Sequence, residues 1–221
     1  MTTISLPEFR PVPEVILTAR DLFMSRDDRP LFENLSFTLN PGRVQQIEGP
    51  NGSGKTTLLR IMCGLILADE GDIEFNGQNI RSVRLEFQEQ LAYLGHLHGI
   101  KEELTVIENL TFMQKLFSNQ DSEHDLLALL ETVGLAGFEY SPARTLSAGQ
   151  RRRLGIARVL LSDAAIWVMD EPYTAMDRKG IKMVEALISA HCQRGGIALL
   201  TSHQSMDLSH LSETPVLLGG Q

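Results

Sequence analysis

The sequence predicts an α/β fold: a mostly parallel sheet covered on both faces by helices. Three observations carry this. Residues 164–169 and 197–201 are continuous apolar runs of strand length, the pattern of strands buried on both faces. Helical patterns alternate with such runs along the chain. A glycine-rich octet joins a strand pattern to a helix pattern at residues 49–56.

The elements follow in order. Residues 1–14 contain Pro7, Pro11 and Pro13 and are expected to form a loose lead-in. Residues 15–23 read as a first strand. Residues 31–39 place Leu, Phe, Leu, Phe and Leu at 31, 32, 35, 37 and 39 and read as a second. Pro41-Gly42 marks a turn, and residues 43–48 re-enter a strand. Residues 56–67 read as a helix with no breaker before Gly64. Residues 71–75 form a short strand, and Asn76-Gly77 is a hairpin signal. Residues 104–138 show helical spacing, with Leu126, Leu127, Leu129, Leu130 and Val133 expected on one side. Residues 148–161 read as a further helix.

Composition narrows the function. The chain has 221 residues, 43% of them hydrophobic and 22% charged, which suits a soluble globular protein with a sizeable core. A net charge of −8 argues against general nucleic-acid binding and against attraction to acidic lipid. No apolar run approaches the ~18 residues of a membrane-spanning helix. No basic start followed by an apolar run marks a secretory signal. Cys63 and Cys192 are expected to be reduced thiols, far apart in sequence and without metal-site spacing.

The octet Gly49-Pro50-Asn51-Gly52-Ser53-Gly54-Lys55-Thr56 fits G-x-x-x-x-G-K-[ST] at every fixed position. Gly52 and Gly54 let the backbone turn its N–H groups toward one point, where a phosphate can sit. The helix that follows, through Thr57, directs its positive end at the same point. Lys55 can reach β- and γ-phosphates, and the Thr56 hydroxyl can ligate Mg²⁺.

The apolar run ending in Asp170-Glu171 supplies the carboxylates. A buried strand ends in adjacent charge only where something balances it. Mg²⁺ near Thr56 is the natural candidate, held by Asp170 directly or through water. Glu171 is then placed to orient or deprotonate the attacking water.

Leu146-Ser147-Ala148-Gly149-Gln150, one residue removed from LSGGQ, adds a second anion site: Ser147 and the amides around Gly149 precede a helix. With the phosphate loop, Asp170-Glu171 and His203 in this order, the chain from about residue 15 onward resembles the ATP-binding-cassette ATPases. The resemblance implies a P-loop NTPase (RecA-like) parallel-sheet core at about 15–94 and 155–221. A small antiparallel β subdomain and an inserted helical subdomain at about 95–154 complete a single domain. It implies a head-to-tail dimer of two copies, the 146–150 signature of one closing over the ATP of the other. Thr174-Ala175-Met176-Asp177 resembles the D-loop at that interface. His203 resembles the switch histidine on the γ-phosphate.

Two positions depart from the family pattern. His96 stands where a Gln usually senses Mg²⁺ and the membrane partner, and an imidazole is a poorer Mg²⁺ ligand than an amide oxygen. Arg26 aligns with the aromatic residue that stacks on adenine; a guanidinium can stack on a base, and Phe23 is close by.

Residues 93–110, including Gly95-His96 and Gly99-Ile100-Lys101, resemble the ATP-binding subunits of bacterial cytochrome c biogenesis (Ccm) exporters. That resemblance implies integral membrane partners and a peripheral place on the cytoplasmic face of the inner membrane. ATP turnover would be linked to heme export or to release of a heme-loaded chaperone. His96 and His98, two imidazoles in a loop, do not form a heme site alone; they read as a partner-facing segment. The alternative is a soluble cassette ATPase that drives assembly, as in iron–sulfur cluster machinery. A GTPase reading fails because no N-K-x-D motif occurs.

Overall fold

The computed structural model describes residues 10–96, 99–117, 125–202 and 207–219. The order of elements is β1 (Leu17–Arg26), β2 (Arg29–Leu39), β3 (Val44–Glu48), α1 (Lys55–Met62), β4 (Glu70–Phe75), β5 (Gln78–Asn79), α2 (Arg84–Glu89) and β6 (Leu91–Leu94). There follow α3 (Val106–Phe117), α4 (Leu126–Thr132), a 3-10 turn (Ala143–Thr145), α5 (Ala148–Leu161), β7 (Ile166–Asp170), α6 (Arg178–Gln193), β8 (Ile197–Thr201) and β9 (Val216–Leu217).

Two sheets result. One is antiparallel, in the order β2-β1-β4-β5. The other is parallel, in the order β6-β7-β8-β3-β9. The side-chain period of two sends alternate residues of the parallel sheet into two cores. Ile166, Val168, Ile197 and Leu199 join Leu58 and Met62 of α1 on one face. Trp167, Met169, Ala198 and Leu200 join α5 and α6 on the other.

Several boundaries differ from the sequence reading, each for a local reason. β1 runs on to Arg26 because Asp27 and Asp28, at φ 52° and 58°, make a two-residue turn that pairs Arg26 with Arg29. Asn76-Gly77 is a two-residue turn as expected, at φ 51° and 77°, closing β4 onto β5.

The helix expected over 56–67 stops at Met62. Gly64 adopts φ 66°, and Leu65 N donates to Arg60 O while Gly64 N donates to Ile61 O, a Schellman stop. The helical span 104–138 divides into α3 and α4. Thr105 and Glu108 cap α3 reciprocally: Thr105 N donates to Glu108 Oε2, and Glu108 N to Thr105 Oγ1. On α4, Leu129, Leu130 and Val133 are buried, but Leu127 is 56% exposed. It lies about a quarter turn off the i, i+3, i+4, i+7 stripe that begins at Leu126.

α6 was not anticipated, although Met183, Val184, Leu187, Ile188, His191 and Cys192 repeat with helical period on its buried face. Cys63 and Cys192 are both free and buried, and burial pushes both thiols up.

Candidate functional site

The carboxyl ends of β3, β8 and β7 lie side by side; β8 ends in Thr201 and β7 in Asp170. In open parallel sheets ligands gather at this edge. The loop after β3 enters α1 through Gly54, which caps the helix in the left-handed conformation at φ 96°. No side chain caps α1, so its first N–H groups stay directed at whatever sits over the loop. Gly49 has no room for a side chain: a Cβ there would lie 2.5 Å from Leu218 O and 2.7 Å from Ser53 Oγ.

Lys55 is 9% exposed and folds back over the loop, donating to Gly49 O at 2.7 Å and Pro50 O at 3.1 Å. Ser53 Oγ is buried without a hydrogen-bond partner among the described residues. Such an orphan inside a ring of backbone N–H groups fits an anionic oxygen.

Asp170 ends β7 and is buried. Thr56 Oγ1 donates to its Oδ2 at 2.8 Å, and Thr201 Oγ1, from the end of β8, donates to its Oδ1 at 2.7 Å. Thr201 also accepts from the Glu171 N–H at 2.8 Å. Glu171 leaves the strand at φ 53°. The pair Thr56–Asp170 presents hard oxygen donors only. Among the described residues no group of three or more His, Cys, Asp or Glu could hold a metal alone. That donor set fits Mg²⁺, which takes one or two protein oxygens and completes its shell with phosphate and water.

An open cleft of about 400 Å³ runs over these residues. It is lined by Asn51, Gly52, Gly54, Lys55, Thr56, Thr57, Asp170, Glu171 and Thr174, with Arg26, Leu31 and His96 on its walls. Its volume falls in the range of small-molecule sites. Arg26 therefore borders the cleft, with a side chain 75% exposed. Phe23 does not line it; it sits within the antiparallel sheet opposite Glu70. His203 and His98 lie outside the described residues.

Beneath the cleft lies a buried cation. Arg152, on α5, is 2% exposed. Its Nη1 donates to Gly95 O at 3.0 Å and its Nη2 to Asp170 O. Burial lowers its pKa to about 10, against the opposing pull of Asp170, Glu171 and Tyr93, so it remains charged at neutral pH. The Tyr93 hydroxyl is pushed up to about 12, by burial first and then by the Asp170 carboxylate.

The 146–150 segment is not part of this cleft. Leu146 is buried, while Ser147 and Ala148 are exposed. Ser147 caps α5, accepting from Gln150 N at 3.2 Å, and Gln150 Oε1 accepts from Ser147 N at 2.9 Å. A Cβ on Gly149 would lie 2.5 Å from the Ala175 carbonyl, whereas Ala148 is exposed. Asp177 caps α6 through Gly180 N at 2.8 Å and takes Arg153 Nη2 at 3.1 Å.

Sequence reasoning missed Thr201 and Arg152. Thr201 carried one usable signal: a hydroxyl ending an apolar parallel strand, at the edge where ligands gather. Arg152, one of three consecutive arginines, carried none.

This geometry defines a P-loop nucleotide-binding domain, and the comparisons with known proteins narrow it. A family model described as "ABC transporter" matches residues 32–174. The chain is 48% identical over 191 residues to the cytochrome c biogenesis ATP-binding export protein CcmA of Vibrio parahaemolyticus, covering 86% of this chain and 93% of that protein. It is 44% identical over 199 residues to CcmA of Nitrosomonas europaea, covering 90% and 93%. An ATP-binding subunit of an ABC transporter superposes with a TM-score of 0.82 at 23% identity, covering 92% of this chain and 85% of that one. A putative ABC transporter ATP-binding protein from Pyrococcus furiosus gives 0.77 at 27% identity, covering 92% and 97%. The chain belongs to the ABC transporter family of ATPases, in the group of CcmA-like ATP-binding subunits.

Proposed function

We propose that this chain is the ATP-hydrolysing subunit of an exporter acting in cytochrome c maturation. The observation that carries the nucleotide chemistry is the convergence of Lys55, Thr56, Asp170 and Glu171 on one cleft. The identity to CcmA proteins along most of both chains supports the biological assignment.

In this reading the amides of 49–57, with Ser53 and Lys55, hold the triphosphate. Thr56 and Asp170 would hold Mg²⁺, whose role when bound is to neutralise charge on the β- and γ-oxygens. Arg26, which borders the cleft, would stack on the base. Glu171 orients the attacking water or takes its proton as the water oxygen bonds to the γ-phosphorus and the bridging oxygen departs with ADP. His203 stabilises the transferring group. Ser147 and Gly149 of a second copy close the site and exclude bulk water.

Binding of two ATP closes the dimer and hydrolysis reopens it, moving a membrane partner through the 95–154 lobe. Among the described residues no helix is long and apolar enough to cross a membrane; in this reading integral membrane subunits supply the spanning part. The subunit would sit on the cytoplasmic face of the inner membrane, with heme handled by its partners. A soluble assembly ATPase shares the ATP motifs, but similarity to export proteins favours the first reading.

The test is co-purification from membranes that carry the candidate integral subunits. The expected result is a salt-resistant complex sedimenting with the membrane. A subunit that stays in the soluble fraction under those conditions would refute the transport assignment.

A further inference from the structure

The peptide joining Asp170 to Glu171 is held at both ends. Its carbonyl oxygen accepts from Arg152 Nη2, and its N–H donates to Thr201 Oγ1. This peptide sets the direction in which Glu171 leaves β7, and it does so in a left-handed conformation that a Glu side chain disfavours. The same guanidinium donates through Nη1 to Gly95 O, in the residue before His96. One buried fork thus ties the exits of β6 and β7, whose next side chains, His96 and Glu171, both face the cleft. Arg152 stands on the helix that Ser147 caps.

We propose that Arg152 is a positioning residue that aims Glu171 by fixing the Asp170–Glu171 peptide, and links that aim to the His96 loop and the signature helix. The chemistry requires an arginine. A planar fork with several donors can satisfy carbonyls on two strands at once, whereas an ammonium or an amide satisfies fewer in fixed directions. A buried charge is tolerated there because both carbonyls and the two carboxylates offset it. The proposal rests on Glu171 acting on the attacking water.

The experiment is a double-mutant cycle on the full chain with Arg152→Met, Glu171→Gln and the pair, following phosphate release against ATP concentration. Arg152→Lys, which keeps the buried charge, runs through the same cycle at less cost to folding. Arg152→Met should lower kcat about tenfold or more while KM for ATP stays within about twofold. Arg152→Lys should recover part of that loss. The double variant should be no slower than Glu171→Gln alone, because Arg152 has nothing left to aim.

A further drop in the double variant, by the factor seen for Arg152→Met alone, would show that Arg152 acts independently of Glu171 and overturn the proposal. So would an unchanged kcat in Arg152→Met, or a rise in KM at constant kcat. Wild-type turnover in Glu171→Gln alone would instead remove the reading on which the proposal rests.

Discussion

Thr56 Oγ1 donates to Asp170 Oδ2 at 2.8 Å, joining residues 114 positions apart in the chain. That bond ties the first turn of α1 to the end of β7. With Thr201 on the other carboxylate oxygen, both Asp170 oxygens are engaged and the carboxylate has one orientation. A buried charge held this way is set before any ligand arrives, which is what electrostatic preorganisation requires.

Thr201 is the hinge of this arrangement, since it donates to Asp170 and accepts from the Glu171 N–H. Thr201→Val keeps the shape and removes both bonds. The expected cost is about 1–3 kcal/mol in denaturant unfolding, because two buried polar groups lose a partner. ATP turnover should fall with it. Unchanged stability and turnover would show that the hydroxyl is not holding the carboxylate.

Lys55 now donates to two carbonyls of its own loop. Lys55→Ala removes the cation that would face the triphosphate. Nucleotide affinity, read by equilibrium binding of a fluorescent ATP analogue, should fall at least about tenfold, as for loss of a charge-assisted contact. Unchanged affinity would count against the loop as the triphosphate site.

His191 stacks on Trp167, ring centroids 3.8 Å apart and planes within 10°. Its Nε2 lies 3.2 Å from Ile197 O, and Arg194 approaches Nδ1 at 3.2 Å. These partners assign the neutral ring with its proton on Nε2. Burial, then the Arg194 charge, lowers its pKa from 6.5 to about 3. Between those values the unfolded chain binds a proton that the native chain does not, so stability rises with pH across the window. The contribution is complete above pH 6.5 and is lost as pH falls, by up to about 1.4 kcal/mol per unit. Melting curves from pH 7.5 to 5 should show a shallower decline in His191→Asn than in the parent; parallel curves would contradict this.

Much of the site was legible because its residues are adjacent in sequence. The 49–56 octet and Asp170-Glu171 need no tertiary knowledge. α5 and β8 could be read within a residue because each is bounded by clear signals: the Ser147–Gln150 capping box, and an apolar run closed by Thr201. Arg152 could not be read. An arginine in a run of three looks like solvated charge, and only the folded chain shows Arg152 buried while Arg151 pairs with Glu102 at the surface. α6 does carry a signal in the sequence, since Met183, Val184, Leu187, Ile188, His191 and Cys192 repeat with helical period. The extra length of β1 depended on two aspartates at positive φ, a conformation their short polar side chains tolerate but do not announce.

In the proposed mechanism Glu171 serves hydrolysis in a cleft that binds ATP without it. The most direct measurement is on Glu171→Gln with ATP and Mg²⁺, following phosphate release and the mass of the complex by light scattering. The expected result is turnover reduced by roughly 10²–10⁴-fold, retained nucleotide affinity, and a stable ATP-bound dimer. Hydrolysis at the wild-type rate would contradict it.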